Sequence, residues 1–226
     1  MKTTDLLNKV KKDYNDIADE FSVTRNRPWH EFELFKQYVD EAGLSARILD
    51  VGCGNGRLAC ALKHSQYIGI DNSRKLLKLA REKNPTFSFK YGDILKIPFQ
   101  NHSFEIVFAV AVLHHIPSRA LQLVALKDLK RGTKLGGKVI ITVWNLWQRK
   151  YEKYIDKATH ESFIPWGVYK KTERYYHAFT SEEIEELIRK SGFAILKKVT
   201  LGTDNCDANN FVFVCVEKGC SPVAGR

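Results

Sequence analysis

The chain has 226 residues, 44% of them hydrophobic and 12% aromatic, with 14 glycines and six prolines. This composition excludes disordered, collagen-like and fibrous classes and fits one moderately large globular domain. The longest apolar stretch, which ends at Leu113, falls far short of the ~20 residues needed to cross a bilayer. Residues 1–10 hold no apolar core of a secretion signal, so a soluble, cytoplasmic protein without a membrane partner is expected. The net charge of +10 is uneven: residues 46–100 and 101–150 each carry net +6, whereas residues 1–45 carry −2 and residues 151–226 balance. A positive middle invites a polyanionic partner such as nucleic acid, though solvated helix faces produce the same count.

Taken in chain order, apolar Leu6, Leu7, Val10, Tyr14, Ile17, Ala18 and Phe21 recur at spacings of three and four and predict a helix over 5–20. Pro28 suits the first turn of a second helix that runs through Phe32, Phe35 and Val39. Beyond Gly43 the period changes. Short apolar runs at 47–51 and 67–70 each end in a turn and are followed by helical patterns at 58–64 and 74–83, the alternation of a parallel sheet. Further strands are expected at 86–91, 104–110, 138–144, 193–200 and 211–217, and helices at 118–131 and 181–191. Only about ten residues separate the last two strands, too few for a parallel crossover but enough for an antiparallel hairpin. The fold class is therefore α/β: a doubly wound, mostly parallel, seven-stranded Rossmann-like sheet with an antiparallel edge hairpin and two extra N-terminal helices. No linker divides it, so a single domain is expected, with a helical cap over 1–45, a cofactor-binding core over 46–144, and a substrate side with the edge hairpin over 145–226.

Asp50-Val51-Gly52-Cys53-Gly54-Asn55-Gly56 follows the first strand and opens a helix. Glycines in that context permit positive φ and close approach of a ligand to the backbone. Asp71 ends the second strand, where an acidic side chain accepts hydrogen bonds from ribose hydroxyls, so a nucleoside cofactor is expected. The five cysteines form no CxxC pair and read as free thiols, and no metal site is expected. Glu182, Glu183, Glu185 and Glu186 read as the acidic first turn of a helix capped by Thr180 or Ser181.

DVGCGNG, then GID at 69–71 and Gly92-Asp93-Ile94, resembles the S-adenosylmethionine site of class I methyltransferases. That resemblance implies that Asp50, Gly52 and Gly54 hold the methionine end, Asp71 the ribose, and Asp93 with Ile94 the adenine, with Tyr14 added to the cofactor set. The outer segments resemble the tRNA wobble-uridine methyltransferases, including the domain attached to an AlkB-type tRNA hydroxylase. The resemblance covers about residues 13 to 217 and rests on Tyr14-Asn15-Asp16-Ile17-Ala18, Phe21 to Arg25, Arg27-Pro28-Trp29, Leu113-His114-His115, Val143-Trp144, Arg174 to Phe179, and Asn209-Asn210-Phe211. It implies methyl esterification of 5-carboxymethyluridine in the tRNA anticodon, and a small zinc-binding activator protein as partner.

A carboxylate is already ionised at neutral pH, so its methylation needs alignment and not proton removal. Arg25, His114 and His115 are the candidate catalytic residues: the guanidinium of Arg25 suits a carboxylate, either the acceptor's or the cofactor's, and a histidine suits its second oxygen or the uracil edge. Arg27, Trp29, Trp144, Arg174, Tyr175, Tyr176 and His177 are the candidate substrate wall, a mixture of cations and aromatic rings that fits a flipped base. Two rivals stand beside this reading: a methyltransferase of a small quinol- or phenol-like metabolite with histidine as general base, and a non-catalytic binding module on the same fold.

Overall fold

Ile48–Val51 (β1) is buried at all four positions: it pairs in parallel on both sides, with Tyr67–Asp71 (β2) and Phe104–Val110 (β4), and its side chains enter the apolar clusters on both faces of the sheet. Near-continuous apolar runs are what such doubly covered strands require. The structure is a computed structural model that describes residues 1–25, 31–167, 172–201 and 210–219. Its main sheet has seven strands in the order β3-β2-β1-β4-β5-β9-β8. Ser88–Tyr91 (β3) and Thr133–Trp144 (β5) join in parallel, while Phe193–Leu201 (β8) and Asn210–Glu217 (β9) pair antiparallel at the edge. The expected doubly wound sheet with its antiparallel hairpin is thus present.

Helices cover both faces. Glu31–Ala42 (α3), Arg57–Leu62 (α4) and Arg74–Lys83 (α5) bury Phe35, Val39, Leu58 and Leu77 with Ile48, Phe108 and Val214 on one side. Arg119–Gly132 (α6) and Ser181–Lys190 (α7) bury Leu126, Leu129, Ile184 and Leu187 with Val107, Ile141 and Phe213 on the other. The helix starts follow capping chemistry: Ser73, Ser118 and Thr180 accept hydrogen bonds from the amides of Leu76, Leu121 and Glu183.

Two features differ from expectation. The helix expected over 5–20 breaks at Ile17 (φ −92°, ψ 4°) into Thr3–Asp16 (α1) and Ala18–Thr24 (α2). Tertiary ties on either side hold the break: Asn15 Oδ1 accepts from Ser73 Oγ and the Lys75 amide at the start of α5, and Asn55 Nδ2 donates to Ser22 Oγ at 3.3 Å. The second is an antiparallel pair, Glu161–Trp166 (β6) with Thr172–His177 (β7), outside the main sheet. Pro165 is tolerated there because a two-stranded ribbon is all edge. Lys9 Nζ donates to the Glu173 carbonyl at 2.6 Å and fastens α1 to this ribbon.

Candidate active site

The backbone leaves β1 and turns through Gly52, Gly54 and Gly56 with φ of 77°, 56° and 76°. A Cβ on Gly52 would stand 2.4 Å from Val112 Cγ2, so only glycine fits between the loop and the segment after β4. Asp50, on β1, is buried and accepts from Tyr67 Oη at 2.6 Å, while its other oxygen is buried without a partner. Burial pushes this carboxyl up to about 7 against the Tyr67 hydrogen bond, with the charge of Asp71 adding to the rise. Asp71, at the end of β2, accepts from the amides of Gly54 (2.9 Å) and Ser73 (2.7 Å); burial still raises it to about 6. Asp93 accepts from the Leu95 amide and Asn72 Nδ2, beside buried Ile94.

Asp50, Gly52, Gly54, Asp71, Asp93 and Ile94 line one cavity of about 980 Å³ together with Tyr14, Arg25, His114, His115, Trp144, Arg174 and Tyr176. The cofactor residues expected from sequence are therefore gathered at the point where the strand order reverses between β1 and β4, the crevice in which open α/β sheets bind ligands. They fit a cationic nucleoside: the orphaned oxygen of Asp50 matches an ammonium, and the Asp71 carboxylate matches vicinal hydroxyls.

The histidine side of the cavity is built on a strained turn. Ala111 has φ 57° and its amide is held by the carbonyl and hydroxyl of Thr142 at 3.1 and 2.9 Å, and the following turn, Leu113–His115, presents two buried imidazoles whose centroids are 4.5 Å apart. Both histidines border the cavity, yet in different tautomers. His115 Nδ1 donates to the Tyr175 carbonyl at 2.9 Å, leaving Nε2 to accept from Tyr14 Oη at 2.7 Å. His114 Nδ1 accepts from the Trp144 amide at 3.1 Å, which places its proton on Nε2. Burial drives His115 down to about 3, with the Tyr175 hydrogen bond opposing and Arg174 adding. Burial first, then the electrostatic influence of His115, Arg174 and His177, holds His114 well below the usual imidazole range. Both are neutral hydrogen-bonding groups.

Arg25, the residue after α2, lies over the Trp166 ring at 4.8 Å and over Phe21 at 5.8 Å; burial and Arg174 lower its pKa. Trp144 meets Tyr176 edge to face at 5.5 Å. The segment expected as one substrate wall divides because it is a strand, and side chains alternate along it. Arg174 and Tyr176 face the cavity. Tyr175 and His177 do not line it: Tyr175 packs on Phe163 and donates to Glu161 at 3.5 Å, and His177 donates to Glu183 at 2.7 Å. Arg27 and Trp29 lie outside the described residues.

Sequence reasoning missed three contributors. Trp166 backs both arginines, and only the β6–β7 register reveals it. Asn55 ties the glycine loop to α2, donating to the Arg25 carbonyl at 3.3 Å. His160 also donates to Glu183, at 3.1 Å, so His160, His177 and Glu183 place three ligand-type atoms within 4.8 Å of one another. Burial pushes the Glu183 carboxyl up, but the two histidines outweigh it and bring it to about 2. The trio fastens the ribbon to α7, a grouping hidden by sequence separation where no metal cluster is expected.

A glycine-turned strand end, an acid at the end of β2 and another just beyond β3, all on one cavity shared with two buried histidines, match a class I S-adenosylmethionine-dependent methyltransferase. Residues 49–141 match the family described as Methyltransferase domain. A protein of Encephalitozoon cuniculi described as an inferred methyltransferase is 33% identical over 194 residues, which cover 83% of this chain and 88% of that protein. The chain belongs to this methyltransferase family, and S-adenosylmethionine is its cofactor. The tRNA (carboxymethyluridine(34)-5-O)-methyltransferase alkbh8 of Xenopus tropicalis is 37% identical over 153 residues, 68% of this chain but 23% of that longer protein. The tRNA (carboxymethyluridine(34)-5-O)-methyltransferase of Schizosaccharomyces pombe is 28% identical over 206 residues, 81% of this chain and 88% of that one. Among solved structures, an S-adenosylmethionine-dependent methyltransferase of Methanosarcina mazei superposes with a TM-score of 0.69 at 21% identity, over 79% of this chain and 95% of that chain. The complex of the Haloferax volcanii Trm112 methyltransferase activator with an inferred methyltransferase gives 0.67 at 16% identity, over 92% of this chain and 97% of that chain.

Proposed function

We propose that the protein transfers a methyl group from S-adenosylmethionine to the carboxylate of 5-carboxymethyluridine at the wobble position of tRNA, producing the methyl ester. The carrying observation is that Arg25 lines the same cavity as two histidines that burial keeps neutral: a cation waits there for an anion, and neither imidazole stands ready to remove a proton. When bound, the cofactor supplies an electrophilic methyl on its sulfonium. The chain's own residues do the rest. Asp50 and Asp71 hold the cationic and ribose parts, Arg25 fixes the acceptor carboxylate, and His114 Nε2–H donates to its second oxygen or to the uracil edge. Trp144 and Tyr176 give the base aromatic faces and keep water out. Such contacts work by orientation, since binding the nucleophile too tightly would slow it. A histidine held far below neutral pKa is a poor general base for a phenol, which disfavours the small-metabolite reading.

The tRNA reading also draws support from the Xenopus and Schizosaccharomyces relatives, whose names state that reaction. A zinc-binding activator subunit is inferred from resemblance and from the Haloferax neighbour, which is seen in complex with an activator. No helix among the described residues is long and apolar enough to cross a membrane. The test is incubation with labelled S-adenosylmethionine and bulk tRNA lacking the wobble ester, with and without an added activator, followed by nucleoside mass spectrometry. Alkali-labile label in 5-carboxymethyluridine is the expected result; cofactor binding with unlabelled tRNA in both arms would overturn the acceptor.

A further inference from the structure

Arg174 is the only arginine among the described residues that is fully buried, at 4% exposure. Its Nη1 donates to a neutral phenol, Tyr14 Oη, at 3.2 Å, and its Nε is buried without a partner. The guanidinium carbon lies 3.9 Å from the Trp166 centroid and 5.1 Å from that of Tyr176. Arg25 stands over the same indole, so two like charges share one ring. Among the described residues no carboxylate forms an ion pair with either, whereas the more exposed Arg119, Arg131 and Arg189 are each paired with an acid. Burying an uncompensated charge is costly, and a second cation beside it raises that cost. An anion entering the cavity relieves both.

The cofactor brings one carboxylate and the acceptor brings another. Arg57, the first residue of α4, directly follows the glycine loop, borders the same cavity and feels the charges of Arg25, Glu31 and Asp50, which makes it a candidate cation for the cofactor's methionine end. Arg174 stands instead against Trp166 and between Tyr14 and Tyr176, whose rings line the cavity and offer a base aromatic faces. We propose that Arg174, backed by Trp166, is a specificity-determining residue that admits a base carrying an ionised carboxymethyl group and rejects the same base carrying the neutral carbamoylmethyl group. This rests on the acceptor assigned above. An amide leaves the guanidinium charge unneutralised and points N–H donors at N–H donors, a mismatch that discriminates strongly in a buried site. The methyl ester is neutral too, so the reaction itself removes the anion that Arg174 holds and favours product release.

The experiment measures binding of fluorescent anticodon stem-loops carrying carboxymethyluridine or carbamoylmethyluridine to the protein loaded with S-adenosylhomocysteine, with any activator it requires. Wild-type protein is expected to prefer the carboxymethyl RNA by about 10-fold or more. In Arg174→Gln the ratio falls at least severalfold, through weaker binding of the carboxymethyl RNA alone and with Arg25 left to hold the carboxylate, with KM for RNA raised more than kcat is lowered and cofactor affinity by calorimetry unchanged. Trp166→Leu, which keeps the charge and removes its backing, lowers the same ratio and serves if the first variant fails to fold. A ratio that survives in the variants, or a loss of cofactor affinity in place of RNA preference, overturns the proposal while ester formation by the wild type leaves the acceptor assignment standing. Absence of both ester and preference in the wild type overturns the two together.

Discussion

Asp50 combines a hydrogen bond from Tyr67 with a buried oxygen that has no partner, and its carboxyl sits at about 7. A cationic ammonium binds the ionised form, so cofactor affinity should rise with pH up to about 7 and then level off, and binding at pH 6 should release a proton. Calorimetry in two buffers of different ionisation enthalpy reads this directly, and an identical heat in both would count against it. Asp50→Asn should cost about 10-fold or more in cofactor affinity, the scale of a charged hydrogen bond at roughly 1.5–3 kcal/mol. The histidines give the opposite signature. With His115 at about 3 and His114 also depressed, kcat at saturating cofactor should be flat from pH 6 to 8; a sigmoid centred near the ordinary imidazole pKa would show that one of them titrates in catalysis. At this scale the gathering of Asp50, Gly52, Gly54, Asp71 and Asp93 on one cavity was legible in the sequence, because glycines and acids at strand ends act locally. The Arg174–Trp166 stack was not: its two residues belong to different strands, and only pairing register joins them.

Elements explain the remaining departures. Strand alternation separates Arg174 and Tyr176 from Tyr175 and His177, a division that follows at once when 172–177 is read as a strand; Pro165 and Gly167 disguised its partner β6. The break between α1 and α2 carries no glycine or proline signal, since side chains from α5 and the glycine loop impose it. Two predictions test these joints. Asn15→Ala removes the acceptor that holds α1 to the start of α5 and should lower stability by about 1 kcal/mol, a Tm loss of about 2–4 °C for a chain of this size. Glu183→Gln should lower Tm by a similar amount by loosening the ribbon from α7. Because the Glu183 carboxyl is depressed to about 2 in the folded protein, its contribution is present above the ordinary carboxylate range and lost as pH falls toward 2. The Tm difference between wild type and variant should therefore shrink on acidification, which differential scanning calorimetry from pH 7 to 3 would show; a constant gap would exclude the ionised carboxylate as its source.

Over the whole molecule the positive middle of the sequence resolves into two populations. Lys130, Arg131 and Lys134 are paired with Glu217, Asp128 and Glu105 and are mostly structural. Arg74 lies over the half-exposed Tyr91 ring at 4.7 Å, and Lys11 donates to the same tyrosine at 3.0 Å; with neighbouring Lys75 they form a cationic and aromatic surface suited to an RNA backbone. Reversing Arg74 and Lys75 to Glu should raise KM for tRNA and flatten its salt dependence while leaving cofactor affinity intact; reversing Lys130 should leave the salt slope unchanged. The tie between the glycine loop and α2 reaches further. Asn55 belongs to the loop that receives the cofactor, yet its amide grips the carbonyl of Arg25, so seating one ligand sets the position of the cation awaiting the other. Turnover should then follow a compulsory sequence, cofactor before RNA, and an unreactive RNA with plain uridine at the wobble position should inhibit uncompetitively against S-adenosylmethionine. The enzyme would in this way hold an RNA productively only when it already carries the methyl group to give it.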